Sequence, residues 1–285
     1  MPEIDYEVEY NNRARVPEHP EIFARWERDG AAYRTEAGAE GRAEIGTKYG
    51  PSPRQTIDLF WARGADSNAP LAMFIHGGYW RSLEPSSFSQ MARGLNARGV
   101  TVAVPGYDLC PQVTIGDIIA QSQAACIYLW RRFGRRIMVS GHSAGGHLAA
   151  CMVATDWKAI ERDVPADLAP MGYAISGLYD LTPLLHLSTN ADFKLDEAEA
   201  LRISPLFWPI PAGRVLEAVV GALESAEFLR QSKVIADGWR ERGAQTRYEE
   251  IARSNHFTVC DPLTDPDSGM VGRLTGLAER TQQIG

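Results

Sequence analysis

Apolar residues follow two rhythms along this chain. Short, nearly unbroken apolar runs occur at LAMFIHGG (71–78), TVAVPGY (101–107), RIMVSG (136–141), GYAISG (172–177) and RVLEAVVGA (214–222). Longer stretches between them repeat at three to four residues: SSFSQMARGLNARG (86–99), IGDIIAQSQAACIYLWRRFG (115–134), HLAACMVATD (147–156) and EFLRQSKVIADGWRERG (227–243). The first kind suits strands buried on both faces and the second suits helices, two of them closed by Gly99 and Gly134. QTIDLFWA (55–62) and TRYEEI (246–251) add outer strands. Strands alternating with helices predict an α/β fold, a mostly parallel sheet with helices on both faces.

Two segments fall outside this alternation. Ile22, Phe23, Trp26 and Tyr33 are spaced for an amphipathic N-terminal helix over about 17–35, set apart from the main body by the turn signal Gly50-Pro51-Ser52-Pro53. Residues 181–212 mix proline with Leu184, Leu185, Leu187, Phe207 and Trp208, an excursion above the sheet ends that either forms a small cap or is a plain helical connection. Repeats and composition shifts are absent, so residues 1–285 read as one domain.

Composition narrows the partners. With 45% apolar and 23% charged residues the chain has globular proportions, and its formal charge of −7 disfavours nucleic acid or an anionic membrane as the main partner. Arg131-Arg132 and Arg135-Arg136 read as solvated helix-end charges. The opening MPEIDYEVEYNN has neither a basic nor an apolar export region, and apolar runs stop short of a membrane span, so a cytoplasmic location is expected. Cys110, Cys126, Cys151 and Cys260 lack CxxC spacing and read as buried free thiols, with no metal site or cofactor implied. A small-molecule substrate is the expected partner, and a homodimer is left open.

The chemistry starts at Gly141-His142-Ser143-Ala144-Gly145, a G-x-S-x-G pattern between a strand and a small-residue helix. Such a corner lifts the serine oxygen above the carboxyl edge of the sheet and aims free helix N–H groups at the same point. At the end of an earlier strand, His76-Gly77-Gly78-Tyr79-Trp80 is a loop of the kind that turns amides toward a tetrahedral oxyanion. Gly78 and Tyr79 would donate from the loop and Ala144 from the helix, while Gly77 permits the turn and His76 hydrogen-bonds structurally.

A serine of this kind needs a base. Among six histidines, His256 in Ser254-Asn255-His256-Phe257 sits on a late loop after a strand, whereas His19, His142, His147 and His186 have other settings. The supporting acid should follow a strand between 143 and 256. Glu224 ranks first and Asp180, one sheet position earlier, second. Asp237 lies mid-helix, and Glu227 reads as a favourable charge at a helix start. Tyr79, Trp80 and Phe257 are candidate walls of an aromatic pocket, although packing roles would serve equally well.

With HGGYW, GHSAGGHLA, ESAEFLRQS and NHF in order, the chain resembles the kynurenine formamidase (arylformamidase) branch of the α/β-hydrolases, near the hormone-sensitive-lipase-like esterases. The likeness runs from about 45 to 265, with SGLYDLTPL (176–184) and ISPL (203–206) as echoes. It implies an α/β-hydrolase fold, Ser143 as nucleophile, His256 as base and the oxyanion donors above. Eukaryotic members usually carry aspartate in a D-S-P-E-F-like stretch where this chain has Glu224-Ser225-Ala226-Glu227-Phe228. The implied activity is hydrolysis of a small aryl formamide, amide or ester through an acyl-enzyme without metal. A general carboxylesterase and a non-catalytic binding protein on a hydrolase scaffold are the competing readings.

Overall fold

A computed structural model describes residues 4–64 and 68–284. Residues 1–3 of the acidic opening, and the last residue of the expected domain span, lie outside it. Eight strands form one sheet: β1 (Ala43–Lys48), β2 (Thr56–Phe60), β3 (Leu71–Ile75), β4 (Thr101–Pro105), β5 (Met138–His142), β6 (Met171–Ile175), β7 (Val215–Gly221) and β8 (Gln245–Ile251). Their spatial order is β1-β2-β4-β3-β5-β6-β7-β8. The β1–β2 and β2–β4 pairs are antiparallel and the rest parallel. This is the α/β-hydrolase sheet.

Helices in chain order are α1 (Tyr6–Tyr10), α2 (Asn12–Arg15), α3 (His19–Ala39), α4 (Arg93–Ala97), α5 (Ile115–Phe133), α6 (Ala144–Ala154), α7 (Trp157–Ile160), α8 (Asn190–Phe193), α9 (Glu197–Arg202), α10 (Ala226–Glu241) and α11 (Gly269–Gln283). Central strands are buried on both faces, so successive side chains feed two cores. Met73 and Ile75 join α5, α6 and α10 on one side, while Ala72 and Phe74 join α3 and α11 on the other. Local signals set the helix ends. Thr114 and Asp117 close a reciprocal capping box on α5, and Gly134 ends it with φ 63°.

Several elements differ from the sequence reading. The stretch 86–99 splits into a 3₁₀ helix, Pro85–Ala92, and the short α4. The N-terminal helix runs on to Ala39. β1 and α11 carry no strong sequence pattern: β1 is a half-exposed edge, and α11 buries a single stripe headed by Met270 and Val271. Segment 181–212 breaks into α8, α9 and two 3₁₀ turns. The arginines in the last turn of α5 are paired rather than only solvated, Arg131 with Glu161 and Arg132 with Glu44. All four cysteines are buried and free. Among the described residues, no helix is long and apolar enough to cross a membrane.

Candidate active site

Ser143 stands between β5 and α6 with φ 57° and ψ −119°. That conformation strains any residue bearing a Cβ, and its neighbours hold it there by close backbone contact. A methyl on Gly145 would lie 1.9 Å from the Ile75 carbonyl oxygen, and one on Gly141 would lie 2.2 Å from that of Gly145. Only glycine lets the end of β3 and the serine corner pack together. Ser143 itself is 3% exposed.

A histidine from far along the chain meets this serine. Ser143 Oγ lies 3.0 Å from His256 Nε2, and His256 Nδ1 lies 2.6 Å from Glu224 Oε2. An ionised carboxylate only accepts, so Nδ1–H donates to Glu224 and Nε2 is left to accept from the serine hydroxyl. Glu224 Oε1 also receives the Ser176 hydroxyl at 2.5 Å and the Gly221 amide at 2.7 Å. The turn from Gly221 to Glu224 folds the carboxylate back over the end of β7, which takes up the reach of a side chain longer than aspartate. Ala222 N and Leu223 N donate to the carbonyls of Ile251 and Ser254, pinning the Glu224 loop to the His256 loop. Asp180 instead accepts from Thr182, and no hydrogen bond joins it to His256 among the described residues.

Three further histidines frame the centre as neutral rings. His142 Nε2 donates to the His256 carbonyl at 2.7 Å, anchoring the His256 loop to the Ser143 corner. Burial, with the neighbouring His256 charge second, holds His142 well below the ordinary histidine range. Burial likewise pushes His76 and His147 down to about 4. His76 Nδ1 donates to the Gly77 carbonyl at 2.7 Å, and its ring stacks on Tyr107.

Beside this corner the HGGYW loop takes an unusual path. Gly78, Tyr79 and Trp80 all have positive φ, at 112°, 52° and 52°. A methyl on Gly77 would come within 3.1 Å of Ser143 Cβ, so the loop lies directly against the serine. The amides of Gly78, Tyr79 and Ala144 donate to no protein acceptor among the described residues. Free N–H groups at such a corner are the kind of donor that can stabilise a developing oxyanion.

Ser143 and His256 open onto a cavity of about 220 Å³. Tyr79 and Phe257 line it, joined by Tyr10, Phe23, Trp26 and Phe88. Trp80 does not. Its left-handed backbone sends successive side chains apart, and the fully buried indole packs edge-on against His147 and Phe193. The expectation that Trp80 walls the pocket is therefore corrected.

Three contributions escaped the sequence reading. Ser176, at φ 51° after β6, donates to Glu224, and in sequence it stands out only through the SGLYD echo. In sequence His142 reads only as a flank of Ser143. Residues 7–13, read only for the absence of an export signal, supply one wall of the cavity together with Leu187, Ser188 and Thr189.

Known proteins resemble the chain over most of its length. The BD-FAE family model matches residues 57–198. Kynurenine formamidase from Danio rerio is 27% identical over 224 residues, covering 76% of this chain and 75% of its own. The Drosophila melanogaster kynurenine formamidase is 30% identical over 237 residues, covering 78% and 77%. A Silicibacter sp. crystal structure, provisionally assigned as a thioesterase, superposes with a TM-score of 0.84 at 31% identity, over 96% of this chain and all of that one (100%). The chain belongs to the kynurenine formamidase family of α/β-hydrolases and is a hydrolase of the serine type.

Proposed function

We propose that the protein hydrolyses a small aryl formamide through a formyl-enzyme on Ser143, with His256 as base, Glu224 as triad acid and the Gly78, Tyr79 and Ala144 amides as oxyanion hole. One observation carries the reading: an unbroken hydrogen-bond chain from Ser143 through His256 to Glu224 that opens onto an aromatic-lined cavity.

Ser143 Oγ attacks the formyl carbon as its proton passes to His256 Nε2, and Glu224 stabilises the resulting imidazolium. The carbonyl oxygen gains charge among the three amides. As the tetrahedral species collapses, the C–N bond breaks and His256 gives its proton to the leaving amine. Water, deprotonated by the same imidazole, then attacks the formyl ester and releases formate and free Ser143. Formyl is the smallest acyl group, so discrimination falls to the leaving-group side, where the aromatic residues stand. The four buried free thiols fit a reducing compartment, and we assign the reaction to the cytoplasm.

The test compares kcat/KM for N-formylkynurenine with that for a short p-nitrophenyl ester, in the native protein and in Ser143→Ala. The expected result is preference for the formamide and a loss of about five orders of magnitude in Ser143→Ala. Brisk ester turnover without formamide cleavage would make the protein a carboxylesterase instead, and near-normal turnover by Ser143→Ala would overturn the mechanism.

A further inference from the structure

One imidazole touches all three segments that the reaction uses. His142 ends β5, directly before Ser143, and is 2% exposed. Its Nε2–H donates to the His256 carbonyl at 2.7 Å, and the two ring centroids are 4.8 Å apart. On the other edge of the ring, Nδ1 lies 3.2 Å from the point where a Cβ on Gly77 would sit, so the oxyanion loop closes directly against it. The nucleophile corner, the base loop and the oxyanion loop therefore meet at one side chain.

The His256 carbonyl is the exception within its own loop. The carbonyls of Ser254, Asn255 and Phe257 accept the backbone amides of Leu223, Val259 and Cys260 at 3.0, 3.1 and 3.3 Å. That of His256 accepts a side chain. The peptide joining His256 to Phe257 is thus gripped at both ends, its N–H by Asn255 Oδ1 at 3.0 Å and its carbonyl by His142. The first grip is local and turns with the loop. The second refers the loop to the serine corner, and so governs how far the imidazole stands from the hydroxyl. Ser143 Oγ and His256 Nε2 are 3.0 Å apart, a length that a drift of about half an ångström would carry out of hydrogen-bond range. Burial holds the His142 ring neutral, so it adds no positive charge beside the imidazolium that His256 becomes.

We propose that His142 is a positioning residue for the reaction: its Nε2–H bond to the His256 carbonyl sets the reach of the base to the Ser143 hydroxyl. The inference rests on the assignment of Ser143 and His256 as nucleophile and base. A ring that served packing alone would affect stability and leave turnover as it is.

The experiment uses two amides that differ by one methylene. In His142→Gln the side-chain nitrogen reaches the place of Nε2, whereas in His142→Asn it stops at that of Nδ1. His142→Asn should lose about 10- to 100-fold in kcat, the scale of a catalytic group misplaced by up to about 1 Å, with KM within about twofold of native. His142→Gln should stay close to the native kcat. The rate at which a fluorophosphonate labels Ser143 should follow kcat in both, because that reaction uses the same base. Ser140→Ala removes another buried hydrogen bond of β5, 3.1 Å to the Met73 carbonyl, and should lower stability to denaturant without lowering kcat. Proton NMR supplies a readout independent of turnover. The far-downfield Nδ1–H of His256, in its 2.6 Å bond to Glu224, should stand in the native protein and His142→Gln and broaden or move upfield in His142→Asn. Equal kcat losses in the two variants, or native kcat in both, would overturn the proposal. If native Ser143 takes no fluorophosphonate, the hydrolase reading fails. The hold of His142 on His256 is then upheld by a proton lost in His142→Asn alone and overturned by one that stands in all three proteins.

Discussion

The inner wall of the cavity, around Ser143, is built from backbone, whereas its outer wall, from residues 7–13 and 187–189, is built from side chains. On the inner side, glycines at 77, 141 and 145 let main chains approach closer than any other residue allows, and positive φ at Gly78, Tyr79, Trp80 and Ser143 fixes where amides and hydroxyl point. On the outer side, a few hydrogen bonds spanning more than 180 residues of sequence hold short helices in place. Backbone constraint leaves little tolerance and so suits bond-making chemistry. Side-chain walls exchange more freely and suit the choice of substrate.

The difference breaks most sharply at the acid. Glu224→Gln keeps the shape of the side chain but puts an amide against His256 Nδ1, favouring the wrong tautomer, and should lower kcat by about 10⁴-fold with little change in KM. Steady-state kinetics on the purified variant checks this. Gly77→Ala should cost about 10²-fold in kcat, because the new methyl would sit 2.9 Å from the His142 carbonyl oxygen and push the oxyanion loop off the serine. On the outer wall, Tyr10→Phe removes the hydroxyl shared by Glu227 and Gln231. It should raise KM a few-fold, about 1 kcal/mol, at unchanged kcat. A kcat loss as large as that in Gly77→Ala would erase the distinction between the walls.

Acid should act on the inner wall through His76, His142 and His147. Each is buried neutral, so its folded-state pKa lies below the unfolded value of 6.5, at about 4 for His76 and His147. Between these values the unfolded chain binds protons that the folded chain refuses. Stability therefore falls as pH drops from 6.5 toward 4, by up to about 1.4 kcal/mol per pH unit for each ring. Denaturant titrations at about pH 7 and about pH 5 should show that loss, and His147→Gln should reduce it by one ring's share.

Legibility in the sequence follows the same division. The Gly-x-Ser-x-Gly corner, the HGG loop and the parallel strands announce themselves because local geometry demands particular residues at fixed spacing. Chain order and strand ends single out Glu224 and His256, which the structure brings into hydrogen-bond contact. Ser176 was missed because its role appears only once β6 and β7 are side by side. Residues 7–13 were missed because nothing in MPEIDYEVEYNN fixes its partners, Tyr79, Glu227 and Gln231, which are remote in the chain. β1 and α11 lie at the edges, where half-exposed positions blur the periodicity. Trp80 was misplaced because two successive left-handed residues reverse the direction a side chain takes, and only the folded loop reveals that.

The most direct measurement is covalent. Native protein treated with a stoichiometric fluorophosphonate should carry one adduct, mapped by mass spectrometry to Ser143, with activity lost in proportion, while His256→Ala stays unlabelled over the same time. Fully inhibited protein with Ser143 unmodified, or labelled Ser143 with activity intact, would contradict the assignment of that hydroxyl as the nucleophile.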